Sequence, residues 1–226
     1  MLPVEIAATG ADTLDVDDLV AMLRLSARRL ARDEEELTAL DRAIGDGDHG
    51  ANMRIGFEAV LEELDGILRL APDLGTLLGR VGLILISSVG GASGPLYGAA
   101  FIDAGLALSG RREAGLSELT AALEAACKGI ARRGRCHPGD KTILDTLQPA
   151  ADALKTALVG GMALEGGFER MREAARQGML STIPLQARCG LAMRFGPHSI
   201  GHQDPGATSC FLLLEALAGA WKSRRL

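Results

Sequence analysis

Apolar residues recur at Leu19, Leu23, Ala27 and Leu30, the three-to-four spacing that lines one face of an amphipathic helix. "RDEEELTALDRAI" predicts a second helix, with Asp33 as N-cap ahead of three glutamates suited to a helix N-terminus. Met53, Phe57, Val60, Leu61 and Leu64 stripe a third. "DLGTLLGRVGLILISSV" gives a fourth and "GPLYGAAFIDAGLAL" a fifth, with Pro95 near its first turn. "LSELTAALEAACKGIARRG" is a sixth, stopped by Gly134, and "TILDTLQPAADALKTAL" a seventh, bent at Pro149. "ALEGGFERMREAARQGML" and "ATSCFLLLEALAGAWKS" complete the set. "VGLILIS" is the one stretch that could be a strand, and a buried helix explains it equally well. No repeat or linker divides the chain. The pattern predicts one all-α domain over residues 1–226, of eight or nine mostly antiparallel helices, with residues 1–13 as a candidate flexible extension.

Composition narrows the class. Aromatics are 3% of a chain that is 47% apolar, which favours closely packed helices over a β-sandwich. A net charge of −5 and the absence of a basic run point away from nucleic acid and from membrane surfaces. Val81 to Ile102 carries no charge, but "GGASGP" breaks it and would strand backbone polar groups in lipid. The N-terminus offers Glu5, Asp12 and Asp15 instead of a basic stretch and an apolar run. Cys127, Cys136, Cys189 and Cys210 form no CxxC pair, as expected of reduced thiols in a cytoplasmic protein.

Four loops hold more Gly, Pro and polar residues than turns require: "IGDGDHGAN" (44–52), "SVGGASGP" (88–95), "GRCHPGDKT" (134–142) and "GHQDPGATS" (201–209). Each precedes a predicted helix, whose free N–H groups and partial positive charge can hold phosphate. The first adds Asp46 and Asp48 to Asp41. An exposed turn explains one Asp-Gly pair, but three clustered carboxylates repel unless a cation neutralises them. Hard oxygen ligands favour Mg²⁺ or Ca²⁺. An EF-hand fails, because Ala51 and Phe57 stand where Gly and Glu are needed. Gly45, Gly47 and Gly50 match GxGxxG, but after a helix, and the aspartates would repel a bare pyrophosphate. Mg²⁺ between carboxylates and phosphates turns the repulsion into a bridge, with the glycines leaving room for phosphate against the backbone. Gly134, Gly139, Lys141 and Thr142 approach a P-loop, but Asp140 intervenes, no strand precedes them, and Asp140 could instead start a helix. "GGASG" is equally consistent with a close helix crossing. His198 and His202 stand four apart, but Gly and Pro around them argue against a helical zinc pair.

"LDRAIGDGDHGANM", "SSVGGASGPLYG", "PGDKTILD" and "QAR…SIGHQDPGATS", in this order, resemble the ADP-binding L subunit of bacterial dihydroxyacetone kinases over nearly the whole chain. The resemblance implies an antiparallel eight-helix barrel with the nucleotide at one rim. Asp41, Asp46 and Asp48 would bind two Mg²⁺ ions. His49, Gly50, Ala51 and Asn52, with Ala92 and Ser93, would meet the phosphates of ADP or ATP. Gly134 and Ile143 would lie near adenine and ribose, and Asp204, Pro205 and Gly206 would close the site. A separate K subunit would hold the ketose, and a phosphohistidine protein of the phosphotransferase system, or exchange with ATP, would recharge the nucleotide. The resemblance also leaves a homodimer, a different acceptor (erythrulose, or that of a fatty acid kinase) and a regulatory role toward a transcription factor as alternatives. Cys189, Leu191 and His198 stand where relatives carry basic residues, with Arg188 or Arg194 left to compensate and weaker ADP retention as the expected consequence.

Overall fold

The computed structural model describes residues 12–70 and 73–225. The described residues form nine α-helices: α1 (Val16–Arg32), α2 (Glu34–Ile44), α3 (His49–Leu70), α4 (Leu74–Ser88), α5 (Ser93–Ala107), α6 (Leu116–Gly134), α7 (Leu144–Val159), α8 (Leu164–Ser181) and α9 (Pro205–Ser223). Every helix read from the periodicity is present, and "VGLILIS" lies within α4. Two short strands, β1 (Leu14–Asp15) and β2 (Glu113–Ala114), pair antiparallel. Leu191–Ser199 is a 3₁₀ stretch kinked at Gly196. No helix is long and apolar enough to cross a membrane among the described residues.

Eight of the helices close a ring: α1 packs on α3, each of α3 to α8 on its successor, and α9 returns to α1. α2 stands outside it, against α3, α9 and the 3₁₀ stretch. The ring encloses an apolar core that includes Leu23, Phe57, Leu77, Leu85, Ile130, Leu154 and Met171. This is the eight-helix barrel, and α2 is the ninth helix, at its rim.

The tightest wall is built from glycine. Gly75 and Gly82 of α4 face Gly105 and Gly98 of α5, each pair member seven residues from the next, so both lie on one stripe. A Cβ on Gly82 would sit 2.7 Å from Gly98 O, and one on Gly98 would sit 2.8 Å from Gly82 O. The close α4–α5 crossing is thus made by glycines outside "GGASG", where Gly91 has φ +64° and open space around it. A second close approach follows from Pro149, which lies inside α7 and has no N–H for the carbonyl of Asp145. Gly178 of α8 packs onto that freed carbonyl, where any Cβ would clash.

Three local expectations change. Asp33 is the α2 N-cap residue, but its carboxylate makes no capping bond and pairs with Arg32 instead. Gly134 is the last helical residue of α6, and Arg135, with φ 51°, takes the left-handed position. Asp140 does not start α7: its carboxylate accepts from His137 N, while Asp145 accepts from Thr142 N at 2.7 Å and Gly139 N at 2.5 Å. Of the expected extension 1–13, Asp12 accepts from Leu164 N and Thr13 O accepts from Trp221 Nε1. Residues 1–11 lie outside the described residues.

Candidate functional site

The acidic loop is organised by Asp41, in the last turn of α2. Its Oδ2 accepts from the backbone N–H of Gly47, Asp48 and His49 at 2.9, 2.9 and 3.1 Å. A carboxylate at the negative end of one helix thus serves the positive start of the next, α3. Each glycine of the loop has a separate reason. A Cβ on Gly45 would collide with Asp41 Oδ1, Gly47 has φ +78°, and a Cβ on Gly50 would meet Glu34 O. The room they leave is taken by the protein's own atoms, which corrects the idea that they clear space for phosphate.

Asp46 and Asp48 are exposed, Asp41 is buried, and one oxygen from each lies within 4.8 Å of the others. With Asp41 Oδ2 committed to the backbone, its Oδ1 remains for a cation. An all-oxygen set of this compactness fits a hard divalent ion.

His49, the first residue of α3, is buried. Its Nδ1 lies 3.1 Å from Ser93 Oγ at the start of α5, and its Nε2 lies 2.9 Å from Ser209 Oγ in the first turns of α9. Burial pulls its pKa down from 6.5 to about 4, against the opposing charges of Asp48 and Asp46, so the ring is neutral at pH 7. Tyr97 OH is 2.6 Å from the same Ser209 Oγ. This network ties three helix N-termini together. At α5 the N-cap Ala92 offers no side-chain bond, and at α9 Asp204 Oδ2 accepts from Ala207 N at 2.7 Å ahead of Pro205.

The three starts open onto a cavity of about 500 Å³. Of the residues named from sequence, Asp41, Asp46, Asp48, His49, Ala92, Ser93, Gly134, Ile143, Asp204, Pro205 and Gly206 all line it. Gly50, Ala51 and Asn52 do not. Gly50 is packed on α2, Asn52 donates its N–H to Asp48 O, and a Cβ on Gly90 would sit 2.7 Å from Asn52 Oδ1. Away from the acidic loop the wall is less polar: Leu96, Cys136, Ile143 and Cys189 line it around Gly134. Cys189 and Leu191 both face the cavity, whereas His198 does not.

Lys141, the near-P-loop lysine, is buried with φ +63°, and its ammonium donates to the carbonyls of Thr182, Leu185 (3.1 Å) and His202. It staples the α8–α9 connection to the α6–α7 loop and has no donor left for a phosphate. Tyr97 and Ser209 went unnamed at the sequence level. The available signal was the chain's single tyrosine, four residues after Ser93 in a helix whose one charged residue is Asp103. The four cysteines are free thiols.

Residues 43–219 match the DAK2 domain, from the acidic loop into α9. The chain is 43% identical over 190 residues to the ADP-binding subunit DhaL of a PEP-dependent dihydroxyacetone kinase of Escherichia coli, covering 84% of this chain and 90% of that one. It is 39% identical over 188 residues to the corresponding subunit of dihydroxyacetone kinase 2 of Listeria innocua, covering 83% and 87%. Among solved structures, the dihydroxyacetone kinase of C. freundii matches with a TM-score of 0.68 at 25% identity, covering 97% of this chain, which spans 38% of that one. The helix ring, the acidic loop and the three converging helix starts agree with these likenesses, and the chain belongs to the DAK2 domain family.

Proposed function

We propose that this chain is the nucleotide-binding, phosphoryl-donating subunit of a dihydroxyacetone kinase or a closely related ketose kinase. The observation that carries the reading is the meeting of three carboxylates with the N-termini of α3, α5 and α9 at one cavity. Relatives named as ADP-binding subunits of PEP-dependent kinases support ADP as the resident nucleotide.

Asp41 Oδ1, Asp46 and Asp48 would hold Mg²⁺, two ions in this proposal, which would supply positive charge against the terminal phosphate oxygens. The open N–H groups at the start of α5 face the negative charge of the phosphate chain. Neutral His49 fixes the spacing of the three helix starts through Ser93 and Ser209. Gly134, Leu96, Cys136 and Ile143 give the base an apolar slot, and Asp204 to Gly206 close the site. The chain positions the donor and lowers its charge, which is most of what phosphoryl transfer demands of a protein. The ketose is held by a separate K subunit, and the donor is a phosphohistidine protein of the phosphotransferase system or ATP. The protein works in the cytoplasm.

Reconstitution tests this. The chain is mixed with a ketose-binding subunit and Mg²⁺, with either ATP or a phosphoenolpyruvate-fed phosphotransferase chain, and dihydroxyacetone and erythrulose are offered. Phosphorylated ketose should form only when both subunits are present. No turnover of any ketose with either donor contradicts the proposal.

A further inference from the structure

A second cavity, of about 370 Å³, opens beside the acidic loop and is lined by Gly45, Asp46, Leu191, Arg194 and Phe195. Asp46 and Leu191 line both cavities, so the two meet at the metal-binding carboxylates. The cations lining the two together are Arg133, Lys141 and Arg194. Lys141 is committed to three carbonyls. Arg133 adjoins Gly134, whose neighbours are Cys136 and Leu96, at the apolar slot. Arg194 therefore remains at the acidic end, and among the described residues it has no carboxylate partner within 4.0 Å. Its backbone makes the placement regular. Leu191–Ser199 is 3₁₀, where residues three apart eclipse, so Leu191 and Arg194 share a face until the kink at Gly196.

We infer that Arg194 contacts the terminal phosphate of the metal-bound nucleotide from the second cavity. This rests on the nucleotide reading above. The phosphate chain at three carboxylates needs positive charge beyond the metal, and a guanidinium offers a planar pair of donors to two phosphate oxygens. Leu191, one 3₁₀ turn earlier, forms the apolar divide between the cavities.

The test is titration of the purified chain with ADP and with AMP, each with Mg²⁺, for wild type, Arg194→Ala, Arg188→Ala and Leu191→Arg/Arg194→Ala. Arg188 is exposed, lines neither cavity and controls for bulk charge. Arg194→Ala should lose about ten- to hundredfold in ADP affinity, the size of a charge-assisted pair, with AMP unchanged. Arg188→Ala should match wild type, and the arginine at position 191 should recover part of the loss. Wild-type ADP affinity in Arg194→Ala overturns the inference, as does an equal loss for AMP or for Arg188→Ala. A wild type that binds neither nucleotide overturns the underlying reading, and the inference with it.

Discussion

Asp41 and Lys141 show how single residues shape the site through the backbone. Each spends charge on the backbone: Asp41 gathers three N–H groups and Lys141 three carbonyls. Lys141→Met keeps the stem and the left-handed backbone but leaves those buried carbonyls without a donor. It should lower the unfolding free energy by about 3 kcal/mol in urea titration, within the range for a lost buried polar network. An unchanged midpoint would mean that water replaces the ammonium at no cost. Asp204 supplies a pH signature. Burial raises its pKa from 3.8 to about 7, against the Ala207 N–H bond and the charge of Lys141. A carboxyl raised on folding stabilises fully below about pH 4, and that contribution is lost as pH rises through 7. The metal-free protein should therefore lose stability from pH 5 to pH 8, and Asp204→Asn should flatten the slope in denaturant titrations at each pH. An identical slope in both proteins would place the titration elsewhere. The Lys141 role is not written in local sequence, because its partners lie 41 to 61 residues away.

At the scale of elements, local pattern was enough to find the helices but not their seams. The apolar period gave α1 to α9 because each buries one face on the ring. The 3₁₀ stretch has Gly and Pro and no period, so the pattern assigns no element to it. The glycine seam between α4 and α5 is invisible to a hydrophobic count and decides how closely two walls approach. Gly82 and Gly79 sit in the same helix with opposite surroundings. A Cβ at Gly82 would lie 2.7 Å from Gly98 O and 3.0 Å from Ile102 N, whereas nothing lies within 4 Å of one at Gly79. Gly79→Ala should stabilise by up to about 1 kcal/mol through helix propensity. Gly82→Ala should cost about 1–2 kcal/mol, because backbone cannot yield as a side chain does. Thermal melts of the pair check this, and two shifts of the same sign would reject the seam. Displacing α5 also moves Ser93, so Gly82→Ala should weaken nucleotide binding as well.

For the molecule as a whole, the barrel is a frame that brings three helix starts and one acidic loop to a single rim. Eleven of the fourteen positions named from sequence line that cavity, and the other three, Gly50, Ala51 and Asn52, lie just behind it. Loop composition made them legible: aspartate and glycine ahead of a helix have few uses in a core. The second cavity and the Tyr97–Ser209 network stayed hidden, since one arises only where the 3₁₀ stretch meets the acidic loop and the other only where α5 meets α9. Because Asp46 is exposed and serves no fold contact, Asp46→Asn separates binding from stability. The most direct measurement is calorimetric titration of the folded chain with ADP, in Mg²⁺ and in EDTA, for wild type and Asp46→Asn. Saturable binding to wild type in Mg²⁺, lost in EDTA and weakened at least tenfold in Asp46→Asn at unchanged helicity, is the predicted result. Equal affinity with and without Mg²⁺, or in the variant, would contradict a metal-bridged nucleotide at this rim.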